Sequence, residues 1–333
     1  MPEITYLEAI NQALHEEMAR DPDVFMAGID IAQRGDVFGA TQGIYTKYGN
    51  ERIMDTPIAE SGIMGLAIGA AARGLRPVVT VMFMDFIGVC FDQILNQMAK
   101  MKYMYGGKVT LPLTVLTNAG AGTSSAAQHS QSLEVLLCHI PGLKVVMPST
   151  PYDAKGLMKA AIREDNPVFF VQHKRLGRIR GEVPDGDYEV PLGKAKVVRE
   201  GKDITLVATS YMVHEALTAA DKLAERGIEA EVVDPRSLVP LDMETIVESV
   251  KKTHRVVVAH EAVRFCGIGG EIAAQITEQA FDYLDGPPLR IGAPSSPVPY
   301  SPILEKEWIP GAEDILAAAN TLAGPFDGAR DRG

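Results

Sequence analysis

Residues Pro77–Phe83 read PVVTVMF, and residues Val24–Asp30 read VFMAGID. Neither run alternates apolar with polar side chains, so neither fits a strand with one face in water. A continuously apolar strand fits a parallel sheet covered by helices on both faces. Working outward, the same kind of run recurs as LPLTVLT from Leu111, LKVVMPS from Leu143 and PVFFVQH from Pro167. Helical spacing fills the gaps. Leu7, Ile10, Leu14 and Met18 predict a helix within Thr5–Arg20, and others are predicted over Gly62–Gly74, Asp92–Lys102 and Tyr152–Glu164. This alternation defines one α/β domain over residues 1–180.

Residues 181–201, GEVPDGDYEVPLGKAKVVREG, are rich in Pro, Gly and charge and read as a linker with a short hairpin. A second series occupies residues 202–325. DITLVATS, IEAEVVDP, RVVVAHE and LRIGAP are its strands; Val213–Arg226, Asp242–Lys252, Gly269–Ala280 and Ala312–Leu322 are its helices. The fold class is therefore α/β, with two doubly wound domains.

The net charge of −11 argues against a general nucleic-acid or anionic-membrane surface. The basic run HKRLGRIR, His173–Arg180, is a local exception that reads as a solvated turn or a subunit contact. Cys90, Cys138 and Cys266 form no CxxC pair and lie among apolar neighbours, as buried, reduced thiols in a cytoplasmic protein do. The longest apolar run, Ile63–Ala72, falls short of the ~20 residues of a membrane span.

In open parallel sheets, ligands gather at the carboxyl ends of the strands. Three loops there stand out. DTPIAESG, Asp55–Gly62, puts Glu60 at a helix start. Its carboxylate either complements the positive end of that helix or serves as a group that holds and surrenders a proton. The second reading draws on Gly62, Gly65 and Gly69, which bare one helix face to a close neighbour and so crowd water away from Glu60. In MFMDFIGVCFDQ, Phe86 opens a helix with Asp85 as its N-cap, and the ring either packs in the core or stacks on a flat heterocycle. NAGAGTSSAAQHSQS, Asn118–Ser132, is depleted of functional side chains except His129, which is either a surface residue or a group titrating near neutrality beside a ligand. Two rival motifs are weaker. GTSSA approaches a nucleophile elbow, with Ser124 as nucleophile, but lies several residues past its strand. GIGGEI, Gly267–Ile272, lacks the third glycine of a dinucleotide loop.

These residues sit in long stretches through which the chain resembles the β subunits of thiamine-diphosphate-dependent 2-oxo acid dehydrogenase E1 components. They are YLEAINQAL, DTPIAESG, FDQILNQMAK, AAQHSQSLEVLLCHIPGLKVVMPSTPYDAKGL, DPRSLVPLD and VVAHEA. The resemblance implies a transketolase-type pyrimidine-binding domain followed by a transketolase C-terminal-like domain. It implies that Glu60 bonds the aminopyrimidine ring of thiamine diphosphate and exchanges a proton with it, that Phe86 lies beside that ring, and that His129 guides acyl transfer to a lipoyl group of an E2 acyltransferase. It also implies a potassium ion held mainly by the backbone carbonyls of Leu113, Ala161, Ile162, Glu164 and Asn166. The GDG motif and paired asparagines by which thiamine enzymes hold Mg²⁺ and the diphosphate do not occur here. The resemblance thus implies an E1 α subunit supplying that half of the site in an α2β2 heterotetramer. MFMDFIGVC and SSPVPYSPILEKEWIP are most similar to acetoin dehydrogenase β subunits, whose complex cleaves acetoin with CoA to acetyl-CoA and acetaldehyde. Pyruvate and then branched-chain 2-oxo acids are the alternatives. Ile29 stands where many relatives carry an acidic residue, which alters polarity or proton handling near the site.

Overall fold

Thr5 starts the first long helix, Tyr6–Arg20, with a reciprocal cap: its hydroxyl accepts the Glu8 N–H at 3.2 Å, and the Glu8 carboxylate accepts the Thr5 N–H at 2.7 Å. The buried face of this helix, including Ile10, Leu14 and Met18, packs near the Pro151–Arg163 helix. The computed structural model describes residues 1–323, so residues 324 and 325 of the expected second domain lie outside the described residues. Among the described residues no helix is long and apolar enough to cross a membrane.

The chain forms two compact units. The first is built on a seven-stranded sheet, ordered Ser237–Val239, Lys144–Val146, Val168–His173, Thr114–Ala119, Arg76–Phe83, Val24–Gly28, Ile53–Asp55. Every pairing is parallel except that of the edge strand Ser237–Val239, which runs antiparallel to Lys144–Val146. Connections leave Val24–Gly28 toward one edge and Arg76–Phe83 toward the other, so the sheet has a topological switch between these neighbours. A side-chain ladder fixes register beside that switch: Gln172 donates to Asn118 at 2.5 Å, and Asn118 donates to the Met82 carbonyl at 2.8 Å. Both amides are buried, where an unmade bond is costly.

The second unit is a five-stranded sheet, ordered Leu289–Ala293, Val256–Val263, Ile204–Ala208, Ala230–Asp234, Lys196–Arg199, with the last strand antiparallel. Its core joins these strands to the helices Met212–Ala224 and Ala312–Ala323 through Leu206, Val232, Val257, Ala216 and Ile315.

Several features depart from the sequence reading. In place of the consecutive pieces 1–180, 181–201 and 202–325, the units are interrupted in sequence. Met1–Lys194 is joined in the first unit by Arg236–Asp242 and Ser296–Ile309. The expected linker makes no hairpin. Arg180–Glu182 pairs with Glu3–Thr5, and Lys196–Arg199 pairs with Ala230–Asp234. Residues 187–189 are tied to the first unit by ion pairs from Arg163 to Asp187 (2.7 Å) and Glu189 (2.6 Å), and by stacking of Tyr188 on Tyr152. The helix expected over Asp92–Lys102 is a π-helical segment Gln93–Met98 followed by a short turn Met101–Met104. The cysteines differ among themselves: Cys90 is buried, Cys138 half-buried and Cys266 exposed, in a left-handed residue (φ 55°) just past a strand.

Candidate active site

At the carboxyl ends of the first sheet, the strand Ile53–Asp55 leads through a short turn into the helix Glu60–Ala72. That helix begins at Glu60 itself, with Ala59 as an N-cap that supplies no side-chain bond. Glu60 is only 6% exposed, and no protein hydrogen-bond donor meets its carboxylate among the described residues. The helix packs on the 3₁₀ segment Met84–Cys90, where Ser61 donates to the Val89 carbonyl at 2.7 Å. Burial, and then the nearby charge of Glu60, push the Cys90 thiol up to about 11. The outer face of the helix is bare: a Cβ added at Gly65 or Gly69 would meet no heavy atom within 4 Å beyond the adjoining helix backbone, and Leu66 between them is exposed.

Phe86 rides on that same 3₁₀ segment. It meets His129 edge to face at 5.3 Å, and both rings meet Phe83, at 5.7 Å and 4.8 Å. Phe38 closes the other side of Phe83 at 5.8 Å. Phe86 and His129, assigned from separate loops, therefore share one aromatic cluster at the switch point, on the segment against which the Glu60 helix packs. Edge-to-face geometry leaves ring faces available for stacking. Asp85 is not the expected N-cap. Its carboxylate instead accepts from the Gln131 side chain at 2.8 Å and the Gln131 backbone at 3.3 Å, tethering the far end of the His129 loop.

The basic run His173–Arg180 is more than a solvated turn. Lys174 donates to the His129 carbonyl and to Ser130 Oγ (3.3 Å), and lies 5.6 Å from the centre of the Phe83 ring. His173 is buried, and a Cβ at Gly120 would lie 2.0 Å from its Nε2. The strand exit at Gly120, with φ +93°, therefore admits only glycine. Asp55 accepts the Ala32 N–H at 2.7 Å, which holds the loop after Val24–Gly28, and Ile29 at the start of that loop is half-buried.

Ser124 does not have the setting of a nucleophile. The strand ends at Ala119 and the next helix begins at Glu134, so no sharp strand-to-helix elbow forms. The Ser124 hydroxyl contacts the Glu305 carboxylate at 3.3 Å rather than a histidine. GIGGEI also has a local purpose. Cβ atoms at Gly267 and Gly269 would lie 2.4 Å and 2.7 Å from the His260 ring, so these glycines let a buried histidine fit.

The five residues assigned to potassium lie near one another, in a corner already served by cations. Arg76 donates to the Ile162 and Glu164 carbonyls at 3.0 Å and 3.3 Å, and Lys102 donates to the Asn166 side chain at 2.7 Å. The Leu113 carbonyl accepts the Val168 N–H at 2.9 Å. Ala161 lies in the helix just before Ile162. Each carbonyl keeps a second lone pair, so the donor chemistry suits a hard cation, while Arg76 and Lys102 compete with it.

Comparison with known proteins places this geometry in a family. Residues 2–180 match the transketolase pyrimidine-binding domain and residues 193–315 the transketolase C-terminal domain. The β subunit of acetoin:2,6-dichlorophenolindophenol oxidoreductase from Cupriavidus necator is 52% identical over 321 residues, covering 93% of this chain and 95% of that one. The pyruvate dehydrogenase E1 component β subunit from Bacillus subtilis is 44% identical over 323 residues, covering 97% and 99%. A solved split-gene transketolase, described as an inactive β4 tetramer, superposes with a TM-score of 0.79 at 27% identity, covering 96% of this chain and 98% of that one. The chain belongs to the transketolase-type family of E1 β subunits that includes those of acetoin and pyruvate dehydrogenases.

Proposed function

We propose that the chain is the β subunit of an acetoin-cleaving, thiamine-diphosphate-dependent E1 component, active with an α subunit in an α2β2 heterotetramer. The observation that carries this reading is Glu60, a buried residue whose carboxylate has no protein donor among the described residues, at the start of a helix packed on the Phe86 segment. An aminopyrimidine ring fits such a group, because it offers Glu60 the hydrogen-bonding partner that the protein does not. When bound, thiamine diphosphate supplies the carbon nucleophile and electron sink for cleaving a bond beside a carbonyl. Glu60 holds and returns a proton at the pyrimidine ring, the Phe38–Phe83–Phe86 cluster presents an apolar wall, and His129 holds a proton on the side where the acyl group departs to a lipoyl group of E2. The α subunit supplies Mg²⁺ and the diphosphate half-site. The bare Gly65–Leu66–Gly69 face supports its close approach. A potassium ion occupies the corner of Leu113, Ala161, Ile162, Glu164 and Asn166, and the complex works in the cytoplasm.

Co-expression with the α subunit, followed by dye-reduction assays on acetoin, pyruvate and branched-chain 2-oxo acids, tests the reading. Acetoin should be turned over fastest; a clear preference for pyruvate would select the pyruvate dehydrogenase alternative. Glu60→Gln keeps the shape and removes the exchangeable acid, and should cost about 100-fold or more in kcat. Full activity in that variant would refute the proton-exchange role.

A further inference from the structure

We infer that Glu305, on the helix Pro302–Trp308, is a positioning residue for His129. It acts through the loop between the Thr114–Ala119 strand and the Glu134–Cys138 helix. Glu305 is 3% exposed, and its carboxylate is filled by one short stretch of that loop. Oε1 accepts the Gly122 N–H at 2.8 Å; Oε2 accepts the Ser124 N–H at 2.9 Å and contacts Ser124 Oγ at 3.3 Å. The loop backbone is shaped for this. Gly120 and Gly122 are left-handed, and so are the non-glycine residues Ser124 (φ 52°) and Ala126 (φ 60°). Alternating backbone of this kind turns successive N–H groups toward one point and makes an anion-binding concavity. Left-handed residues with side chains persist only where their surroundings over-determine them. Here the surrounding anion is internal, supplied from about 180 residues downstream.

The consequence for His129 is geometric. Its N–H lies 3.5 Å from the Ala126 carbonyl, so its place follows from the strained turn that Glu305 holds. Asp85 and Lys174 fix the later part of the loop through Gln131, Ser130 and the His129 carbonyl. Glu305 alone, among these three, fixes the earlier part. A carboxylate is required because both oxygens accept; a carboxamide in its place would turn an NH₂ toward an N–H. The helix carrying Glu305 is itself anchored, as the Trp308 indole donates to the Ser296 carbonyl at 3.1 Å.

This inference rests on the role proposed for His129, and the test separates the two. Glu305→Gln, His129→Ala and the double variant are compared in the assembled complex with the α subunit. Two readouts are taken with the same substrate: reduction of 2,6-dichlorophenolindophenol, and reductive acylation of the isolated E2 lipoyl domain. Glu305→Gln should lower kcat for lipoyl acylation about tenfold or more, with dye reduction, KM and cofactor affinity within about twofold of the parent. The double variant should be no slower than His129→Ala, and Glu305→Asp, which keeps both acceptors, should recover part of the loss. Normal acylation in Glu305→Gln beside impaired acylation in His129→Ala would overturn the role of Glu305 and leave that of His129 standing. Normal acylation in His129→Ala would overturn the reading of His129 itself. Equal loss in both readouts, or failure of both Glu305 variants to assemble, would reduce Glu305 to a structural residue and overturn the inference.

Discussion

The second unit should be acid-labile in a window set by one side chain. His260, on the strand Val256–Val263, is 0% exposed and enclosed by Gly267, Gly269 and Gly292. Neither ring nitrogen has a hydrogen bond of good geometry among the described residues. Burial lowers its pKa from 6.5 to about 4, assisted by Arg290 and opposed by the Ala262 backbone. Because the folded value is depressed, the unfolded chain takes up a proton first as pH falls. Stability contributed by neutral His260 is complete above about pH 6.5, is lost as pH falls from there toward 4, and levels off below that. A gap of about 2.5 units is worth about 3 kcal/mol in full, and roughly 2 kcal/mol of it is lost by about pH 5. Carboxylates held below the usual range remain ionised in this window. Asp187, lowered first by its bond from Arg163 and then by Lys159, is one of them. Hydrogen exchange of the amides in Val256–Val263, corrected for intrinsic rates, at about pH 7.5 and pH 5 measures the loss. His260→Leu removes the titration, so its exchange free energy should change less between the two conditions, by about 2 kcal/mol. Identical pH dependence in parent and variant would refute the reasoning, whatever their absolute stabilities.

Other outcomes follow from the same structure. Arg163→Ala removes a two-pronged contact (3.0 and 2.6 Å) to the fully buried Glu17 and leaves, among the described residues, only Arg20 on that charge; the loss should be about 3 kcal/mol in urea unfolding, and a change below about 1 kcal/mol would contradict it. Gly65→Leu should leave the single chain as thermally stable as the parent, since an added Cβ enters open space, yet weaken association with the α subunit in size-exclusion chromatography. Unimpaired association would mean that the bare helix face is not the contact. Replacing K⁺ by choline should lower the Tm of the parent by a few degrees. Equal melting in both salts would assign the corner to Arg76 and Lys102 alone.

The parallel sheets were legible because their strands are apolar on both faces, which few other environments tolerate. Glu60, Phe86 and His129 could be selected because they stand alone at strand ends among small or apolar residues, although family resemblance was needed to choose among readings. What escaped notice depends on distant contacts. Ser237–Val239 reads as part of a Pro-flanked loop, and only pairing with Lys144–Val146 makes it a strand. Phe83 looks like an ordinary strand residue until Phe38, Phe86 and His129 gather around it. Asp85 resembles a cap because its neighbours are helical, but the acceptor it offers goes to Gln131, 46 residues on. Glu305 sits in a Pro-rich passage with no local sign that its partner is a loop near residue 122. Cys266 has apolar neighbours in sequence, but its strand ends before it, leaving it outside the core.

The interrupted first unit also has a meaning for how the polypeptide is made. Its edge strand, Ser237–Val239, leaves the ribosome only after the segment Ala195–Pro235 of the second unit, and its loop brace, Glu305, only after Met243–Ser295 has emerged as well. During synthesis the N-terminal sheet therefore waits with one edge unpaired and the His129 loop unbraced, a state that exposes strand hydrogen-bonding groups. Vectorial N-to-C folding, available to proteins with consecutive domains, is not available here. The nascent first unit reaches its final form only when the residues around position 305 are released.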